Sequence, residues 1–281
     1  MEALRQIDAW PAPHTAAGVT AANGVVAVYG DVEHEFRWAS VTKLATAIAV
    51  LVAAEEGIVD LDEPAGPPGS SIRHLLAHAS GLPFEAGGAA IGRPGARRIY
   101  SNAGFEALAE RVAAAAEMPF AEYLQGALLA PLAMTRTVLR GSPAAGLWGP
   151  LGDLLRLARE LQEPTLVAPE TLAEATSVAF PGLDGVLPDF GRLSPNDWGL
   201  GFELRDAKPG HWTGSRVSPR TFGHFGGSGT FLWVDPELGV ALGALSDLEF
   251  GEWAKQAWPA LSDAVVAELT EARPRKGSAR A

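Results

Sequence analysis

An almost uninterrupted apolar run near the start of the chain predicts a buried helix. Residues 44–54 read LATAIAVLVAA, and Thr46 is their single polar side chain. A segment that is apolar on every side is typical of a helix surrounded by protein rather than of a surface helix. We predict that this helix covers residues 41–56, with Gly57 directly after its end.

The other periodic segments place strands at both ends of the chain and helices between them. Alternating residues bounded by turn residues predict strands at residues 24–30, 34–38, 199–205, 221–224, 230–234 and 240–246. Helical spacing predicts helices at residues 72–78, 103–116, 120–128 and 152–161, and a closing helix at residues 250–269. Residues 181–196 show neither period and are predicted to form a loop.

This order of elements indicates an α+β fold. We expect an antiparallel sheet flanked by terminal helices, with a mainly helical lobe inserted into the sheet lobe. The sheet lobe would take residues 1–62 and 199–281, and the helical lobe residues 63–198. The stretch LDEPAGPPGSS marks the first crossing between the lobes. A site built from both lobes would lie in the cleft between them.

The amino-acid composition mainly excludes certain classes of function. The chain has 281 residues, of which 47% are hydrophobic and 20% charged, as in ordinary globular proteins. Its net charge of −11 argues against a nucleic-acid partner held by a basic face. The chain has no cysteine, which excludes disulfides, thiolate metal sites and cysteine nucleophiles.

The sequence shows no targeting or membrane segment. No apolar run reaches the roughly 18 residues that span a bilayer, and the first residues lack the basic and apolar parts of a secretory signal. We therefore expect a cytoplasmic protein without a membrane partner. Residues 273–281 (RPRKGSARA) are interpreted as a solvated end, with a contact for an acidic partner as the alternative.

Ser40 and Lys43 stand at the start of the predicted buried helix. Residues three apart share a helix face, so the hydroxyl and the amine should be neighbours. A buried lysine resists protonation, and as a neutral amine it can accept the serine proton. The helix N-terminus also favours developing negative charge. The alternative is an N-cap serine followed by a lysine that reaches solvent.

Tyr100, Ser101 and Asn102 lie where the next long helix is predicted to begin. Either Ser101 or Asn102 can cap that helix, and capping alone would explain both residues. A phenol beside a lysine, however, has its ionised form favoured and can act as a general base. The Asn102 amide offers a donor and an acceptor to a substrate amide or to the lysine.

The segment HFGGSGT, from His224 to Thr230, follows a predicted strand. Its glycines, among them Gly226 and Gly227, let a ligand approach the main chain closely. An unpaired N–H of such a strand is a candidate donor to an oxyanion. The alternative is a glycine-rich hairpin corner in which His224 is an ordinary hydrogen-bonded residue.

The motifs SVTK, YSN and HFGG, in this order, resemble the three motifs of the serine β-lactamase and penicillin-binding-protein superfamily. The stretches IRHLLAHASGLP, WGLGFEL and GHFGGSGTFLWVDPELGVAL are similar to its class C β-lactamase-like serine hydrolases, which include esterases and D-amino-acid peptidases. The resemblance covers roughly residues 24–269.

The resemblance implies a role for each motif residue. Ser40 would be the acylated nucleophile and Lys43 the group that activates it. Tyr100 would pass the proton to the leaving group and assist water in deacylation, and Asn102 would position the amide on the acyl side. The main-chain N–H groups of Ser40 and Gly227 would form the oxyanion hole. In the third motif, His224 and Gly226 would contact the substrate.

His224 departs from the β-lactamase pattern, in which the third motif usually begins with lysine. A neutral imidazole attracts a carboxylate far less than an ammonium group does near neutral pH. We therefore expect a hydrolase of a carboxylic ester or a small amide that is inefficient on β-lactams. The alternative is a protein of the same fold that acylates or docks a β-lactam or peptide ligand with little turnover. Residues 84–98 and 181–197 are expected to shape the substrate pocket.

We expect no metal and no organic cofactor. His74 and His78 are four residues apart and could share a helix face as metal ligands. Their segment lacks the glutamate of H-E-x-x-H and an obvious third ligand, so we predict structural hydrogen bonds for both.

Overall fold

The protein structure is a computed structural model that describes residues 1–85 and 87–272. The helices are α1 (Thr42–Glu55), α2 (Ile72–Leu76), α3 (Asn102–Ala116), α4 (Phe120–Leu124), α5 (Leu151–Glu160), α6 (Pro169–Ala175) and α7 (Glu252–Ala272). The strands are β1 (Thr15–Ala21), β2 (Gly24–Gly30), β3 (Phe36–Arg37), β4 (Val138–Leu139), β5 (Leu147–Gly149), β6 (Gly185–Leu187), β7 (Gly191–Leu193), β8 (Glu203–Leu204), β9 (Phe222–Gly226), β10 (Thr230–Asp235) and β11 (Val240–Ser246). The basic end at residues 273–281 lies outside the described residues.

The main sheet joins the two ends of the chain. Its six strands follow the order β2-β1-β11-β10-β9-β8, and every neighbouring pair is antiparallel. β1 pairs along its whole length with β11, from Thr15 opposite Ser246 to Ala21 opposite Val240. Strands from before α1 and from after α6 therefore share one sheet.

Helices cover both faces of this sheet. On one face Gly18 of β1 lies opposite Gly243 of β11, and both make room for α5. A Cβ at Gly18 would lie 2.7 Å from Leu155 Cδ1, and one at Gly243 would lie 2.9 Å from Leu154 Cδ2. On the other face, Ala17 and Val19 share a core with residues of α7, among them Trp258 and Leu261.

Helix α1 is buried as its sequence predicts. Every residue from Thr42 to Ala53 is buried, so the helix is enclosed on all sides. The predicted span of residues 41–56 is confirmed within one residue at either end, and Gly57 follows with a φ of +73°. A positive φ costs glycine little, which explains why it ends the helix.

The first strands differ from prediction in two ways. Residues 34–38 contribute only the two-residue strand β3, which joins β5 and β4 in a separate small sheet. The strand that pairs with β2 in the main sheet is β1, and the sequence pattern did not predict β1. Its small residues Ala16, Ala17 and Gly18 have low strand preference, and their purpose becomes visible only once the helices on the two sheet faces are known.

The later part of the chain also differs from prediction. Residues 181–196 contain the hairpin β6–β7 instead of a plain loop, and α6 was not predicted. The predicted strand at residues 199–205 is reduced to β8. The predicted helix at residues 120–128 is α-helical only to Leu124 and continues as a π-helical turn.

The predicted α+β class with an antiparallel sheet and a flanking terminal helix is confirmed. Helices α2 to α6 all come from the segment between β3 and β8, and the division into lobes at residues 62 and 198 stays a prediction. None of the helices in the described ranges is long and apolar enough to cross a membrane.

Candidate active site

Ser40 is presented by a sharp turn at the start of α1. It lies in a one-turn 3-10 helix, Ala39–Val41. Ala39 has a φ of +44°, and few non-glycine residues adopt a positive φ. Gly226 of β9 passes directly behind this turn, where a Cβ would meet the Trp38 carbonyl oxygen at 2.5 Å. Gly226 therefore has a packing reason to be glycine, and its contact with substrate stays a prediction.

Lys43 is fully buried one turn below Ser40. Its Nζ lies 2.7 Å from Asn102 Oδ1, 2.9 Å from the Ala144 carbonyl oxygen and 3.2 Å from Ser40 Oγ. The first two oxygens can only accept, so they take both N–H groups of a neutral amine. The nitrogen lone pair is then left for the proton of the Ser40 hydroxyl.

The protonation of Lys43 agrees with this arrangement. Burial lowers the pKa of Lys43 from 10.5 to about 7, and the carboxylates of Glu106 and Glu85 oppose the shift in part. The neutral amine is therefore well populated near neutral pH. The alternative of a lysine that reaches solvent is wrong.

Ser101 caps helix α3 and leaves Asn102 free for the site. Its Oγ accepts from Gly104 N–H at 2.9 Å and donates to the Pro83 carbonyl oxygen at 2.6 Å. Asn102 turns its Oδ1 towards Lys43, and its amide NH₂ is the part left for a ligand. The capping prediction and the contact of Asn102 with the lysine are both confirmed.

His224 is buried and neutral next to Tyr100. Its Nδ1–H donates to the Phe225 carbonyl oxygen at 2.7 Å, which leaves Nε2 with a lone pair. The Tyr100 hydroxyl lies 3.4 Å from that Nε2 and donates to it. Burial first, and the charge of Lys43 second, lower the pKa of His224 to about 3. The site therefore holds no fixed cation at the position of the third motif.

Tyr100 is a neutral phenol, which corrects the sequence-based expectation of an ionised one. Burial raises the pKa of Tyr100 above its usual value, and a hydrogen bond with Ser40 lowers it only in part. The cost of removing a phenolate from water exceeds the benefit of a nearby amine that is only partly charged near neutral pH. Tyr100 is therefore neutral in the resting protein, and that Lys43 acts as the base stays a prediction.

Gly227 follows β9 at an open corner. It is exposed, and the nearest atom to a Cβ built there would be Glu249 Oε2 at 3.9 Å. Its carbonyl oxygen accepts from Phe250 N–H at 2.8 Å, which holds the corner in place. The segment is a hairpin corner, as the alternative stated, and it also borders Ser40 through Gly226. That Ser40 and Gly227 form the oxyanion hole stays a prediction.

Comparison with known proteins identifies the family. The family model described as Beta-lactamase matches residues 11–266 of the chain. The chain belongs to the Beta-lactamase family. A crystal structure of a beta-lactamase from Mycobacterium bovis is similar to it over 95% of this chain and 99% of that one, with 51% identity and a TM-score of 0.93. The resemblance to the serine β-lactamase superfamily is thus confirmed.

Two more distant proteins are also similar to the chain. Simvastatin synthase (LovD) from Aspergillus terreus is 18% identical, with a TM-score of 0.79 over 97% of each chain, and shows the fold alone. The D-alanyl-D-alanine-carboxypeptidase/endopeptidase AmpH of Escherichia coli is 28% identical over a match that covers 38% of this chain and 37% of that protein. The matched segment thus spans little more than a third of this curated relative. At this coarse level the family supports a serine hydrolase.

Two residues outside the family motifs enclose Tyr100. The Trp198 ring lies 5.8 Å from that of Tyr100 and 5.5 Å from that of His224. The His78 ring lies 4.6 Å from Tyr100, and its Nδ1 accepts from Ser101 N–H at 3.1 Å. Both side chains cover part of the Tyr100 ring. Neither stands in one of the three motifs, so motif spacing alone could not find them.

No metal role follows from the histidines. His74 and His78 have separate partners, as the prediction of structural hydrogen bonds states. In the described ranges, one group with three ligand atoms close together is His14, His34 and Asp247. The two imidazoles of that group stack at 4.2 Å with planes 16° apart. Imidazole lone pairs lie in the ring plane, so those of stacked rings do not converge on one ion.

Proposed function

We propose that this Beta-lactamase family member hydrolyses a carboxylic ester or a small amide through an acyl group on Ser40. The observation that carries the proposal is the surroundings of Lys43. Two acceptors that cannot donate, Asn102 Oδ1 and the Ala144 carbonyl oxygen, use both N–H groups of the neutral amine. The lone pair is left to Ser40, 3.2 Å away. This pairing is what a serine nucleophile needs for activation.

In the acylation step, Lys43 Nζ takes the proton of the Ser40 hydroxyl as Oγ bonds to the substrate carbonyl carbon. The developing oxyanion is held by the main-chain N–H groups of Ser40 and Gly227, each worth about 3–4 kcal/mol in such a site. The proton taken by Lys43 reaches the leaving group through Tyr100, whose ring centroid lies 4.8 Å from Lys43 Nζ. The bond to the leaving group then breaks, and the acyl group stays on Ser40.

Deacylation repeats these steps with water. Water takes the place of the leaving group, gives its proton through Tyr100 towards Lys43, and attacks the acyl carbon. Collapse of the second tetrahedral intermediate returns the proton to Ser40 Oγ and releases the acid. Asn102 orients the acyl side through its free NH₂ group.

The direct test is steady-state hydrolysis of p-nitrophenyl butyrate by the wild-type protein. Turnover supports the proposal. Absence of turnover, combined with a stable acyl adduct by intact mass, would favour the alternative of a protein that acylates without releasing product. Absence of both would contradict an acylating site.

The charge of the site favours a neutral substrate. His224 carries no positive charge near neutral pH because burial lowers its pKa to about 3. We expect His224→Lys to raise acylation by a carboxylate-bearing β-lactam about tenfold, because an ammonium near a carboxylate in a partly desolvated site is strongly attractive. Acylation rates are compared with those for p-nitrophenyl butyrate, a neutral ester whose rate shows whether the substitution harms the active site in general. An unchanged ratio of the two rates would contradict this role for position 224.

Activity should depend on pH through Lys43. Because burial lowers the pKa of Lys43 to about 7, the reactive neutral amine is present above that pH and is lost as the pH falls through it. We expect kcat/KM for a neutral ester to rise with pH along a single titration centred near that value. The profile is measured from about pH 5 to 9 with corrections for spontaneous hydrolysis. A flat profile would mean that Lys43 is not the base.

A further inference from the structure

A cavity outside the three motifs is lined in part by Tyr100. It has a volume of about 420 Å³, which falls within the roughly 300–1,000 Å³ of small-molecule pockets. Its walls come from residues shortly before Tyr100, from Tyr100 itself, and from the segment that contains the hairpin β6–β7. The lining residues are Phe84, Ile91, Arg97, Arg98, Ile99, Tyr100, Asp184, Gly185, Val186, Pro188 and Arg192.

The two walls are tied to each other. The N–H of Arg98 donates to the Asp184 carbonyl oxygen at 2.8 Å, and Arg98 pairs with Gly185 in a parallel bridge. A Cβ at Gly185 would lie 2.5 Å from Arg98 Cβ, so only glycine permits this approach. The buried guanidinium of Arg98 then donates to carbonyl oxygens of Ala77, Ala179, Phe180 and Asn196. The cavity is therefore a built part of the fold.

The surface of the cavity is apolar although it faces solvent. Phe84, Ile91 and Val186 are 49%, 58% and 56% exposed. Three large apolar side chains this open, on one cavity, expose surface that a ligand can cover. The Phe84 ring also stacks on that of Tyr100, at 5.9 Å and 26°, which joins the apolar wall to the proposed proton donor.

The arginines at the cavity do not make it an anion site. Arg98 is fully engaged by main-chain carbonyls, and Arg192 is paired with Asp184. Arg97 donates to the Ile91 carbonyl oxygen at 3.4 Å and is exposed to water. An exposed guanidinium contributes little to binding an anion. The exposed apolar side chains are therefore the surface of the cavity that a ligand can cover.

We propose that this cavity holds the leaving-group half of the substrate, and that this half is an apolar alcohol or amine about the size of a benzyl group. The inference rests on the proposed function, in which Tyr100 protonates the departing atom. A leaving group must depart towards the residue that protonates it, and the cavity begins at that residue. The acyl half of the substrate then lies towards Asn102 and the proposed oxyanion donors, the main-chain N–H groups of Ser40 and Gly227.

The test compares benzyl butyrate with ethyl butyrate, which share the acyl group and differ only in the alcohol. We expect wild-type kcat/KM to be about 10–100 times higher for the benzyl ester, as burial of one aromatic ring predicts. Val186→Asp and Ile91→Asp should each lower the benzyl-to-ethyl ratio about tenfold, because a carboxylate then lines the apolar wall. Val28→Asp is the matched control, since Val28 is an equally exposed strand residue (49%) on β2.

An unchanged benzyl-to-ethyl ratio in both cavity variants would overturn the inference. Two variants are used because, when one of these side chains is changed, the other can still contact the aromatic ring of the substrate. A drop of similar size in Val28→Asp would also overturn it, since the effect would then be one of surface charge.

A binding experiment separates this inference from the proposed hydrolysis. 2-Naphthol, an apolar alcohol, is titrated calorimetrically into Ser40→Ala, which needs no turnover. Saturable binding of 2-naphthol to Ser40→Ala that is lost in the double variant with Val186→Asp supports the apolar site. Absence of binding, or equal binding in the double variant, overturns it. If naphthol binds as expected but neither ester is hydrolysed by the wild type, the proposed hydrolysis fails while the cavity's preference stands.

Discussion

Replacing Ser40 with alanine should lower turnover of p-nitrophenyl butyrate by at least about 10³-fold, because the nucleophile is removed and only binding and the oxyanion donors remain. The fold should not suffer. Ser40 is half-buried in its 3-10 turn, and its hydroxyl has Lys43 and Tyr100 as partners rather than core atoms. The measurement is kcat at saturating ester, with the melting temperature taken on the same samples.

The matched control for this change is Ser177→Ala. Ser177 is an exposed serine whose hydroxyl donates to the Ala173 carbonyl oxygen at 2.7 Å. It should keep wild-type turnover. If Ser40→Ala retained more than a tenth of wild-type kcat, another residue would carry the chemistry and the assignment of the nucleophile would be wrong.

Replacing Lys43 with methionine should lower kcat/KM about 10³-fold, which corresponds to about 4 kcal/mol of transition-state stabilisation. Methionine fills a similar volume but cannot accept the serine proton. It also leaves Asn102 Oδ1 and the Ala144 carbonyl oxygen without their donor, at a cost of about 1–3 kcal/mol each. Removing an amine that is costly to bury offsets part of that loss of stability.

The pH profile separates chemistry from packing in this variant. The remaining activity of Lys43→Met should no longer rise with pH near neutrality, since the titrating amine is gone. Lys255→Met is the control: Lys255 is a surface residue that pairs with Glu252 at 2.6 Å. A Lys43→Met protein that is folded and retains the wild-type pH dependence would exclude Lys43 as the base.

That Ser40 and Lys43 are neighbours could be predicted from the sequence, because their contact is local. Ser40 and Lys43 are three residues apart on one helix, and the helix is recognisable from its unbroken apolar run. Their contact follows from helix geometry alone. Motif order then indicates which distant residues, Tyr100 and His224, join them.

The fold was less predictable where packing between distant segments decides the structure. β1 owes its small residues to α5, since Gly18 must admit Leu155. The hairpin β6–β7 is bound to the segment before Tyr100 through Arg98 and Gly185. Neither partner is visible in the local pattern, so a strand was missed in one case and a loop was predicted in the other.

The charge state of Tyr100 could not be derived from the sequence for a similar reason. Nearness to a lysine favours a phenolate, and burial opposes it. Which effect is larger depends on the rings of Trp198 and His78 that surround the phenol. The effect of burial is the larger one, so the phenol of Tyr100 stays neutral.

The most direct test of the central claim is to locate the acyl group during turnover. Wild-type protein is mixed with p-nitrophenyl butyrate, quenched in acid within the first turnovers, and analysed by intact mass and peptide mapping. The account predicts one added butyryl group on the peptide containing Ser40, absent from Ser40→Ala treated in the same way. A butyryl group on another residue, or rapid turnover with no adduct at any quench time and no burst of p-nitrophenol, would contradict an acyl-Ser40 mechanism.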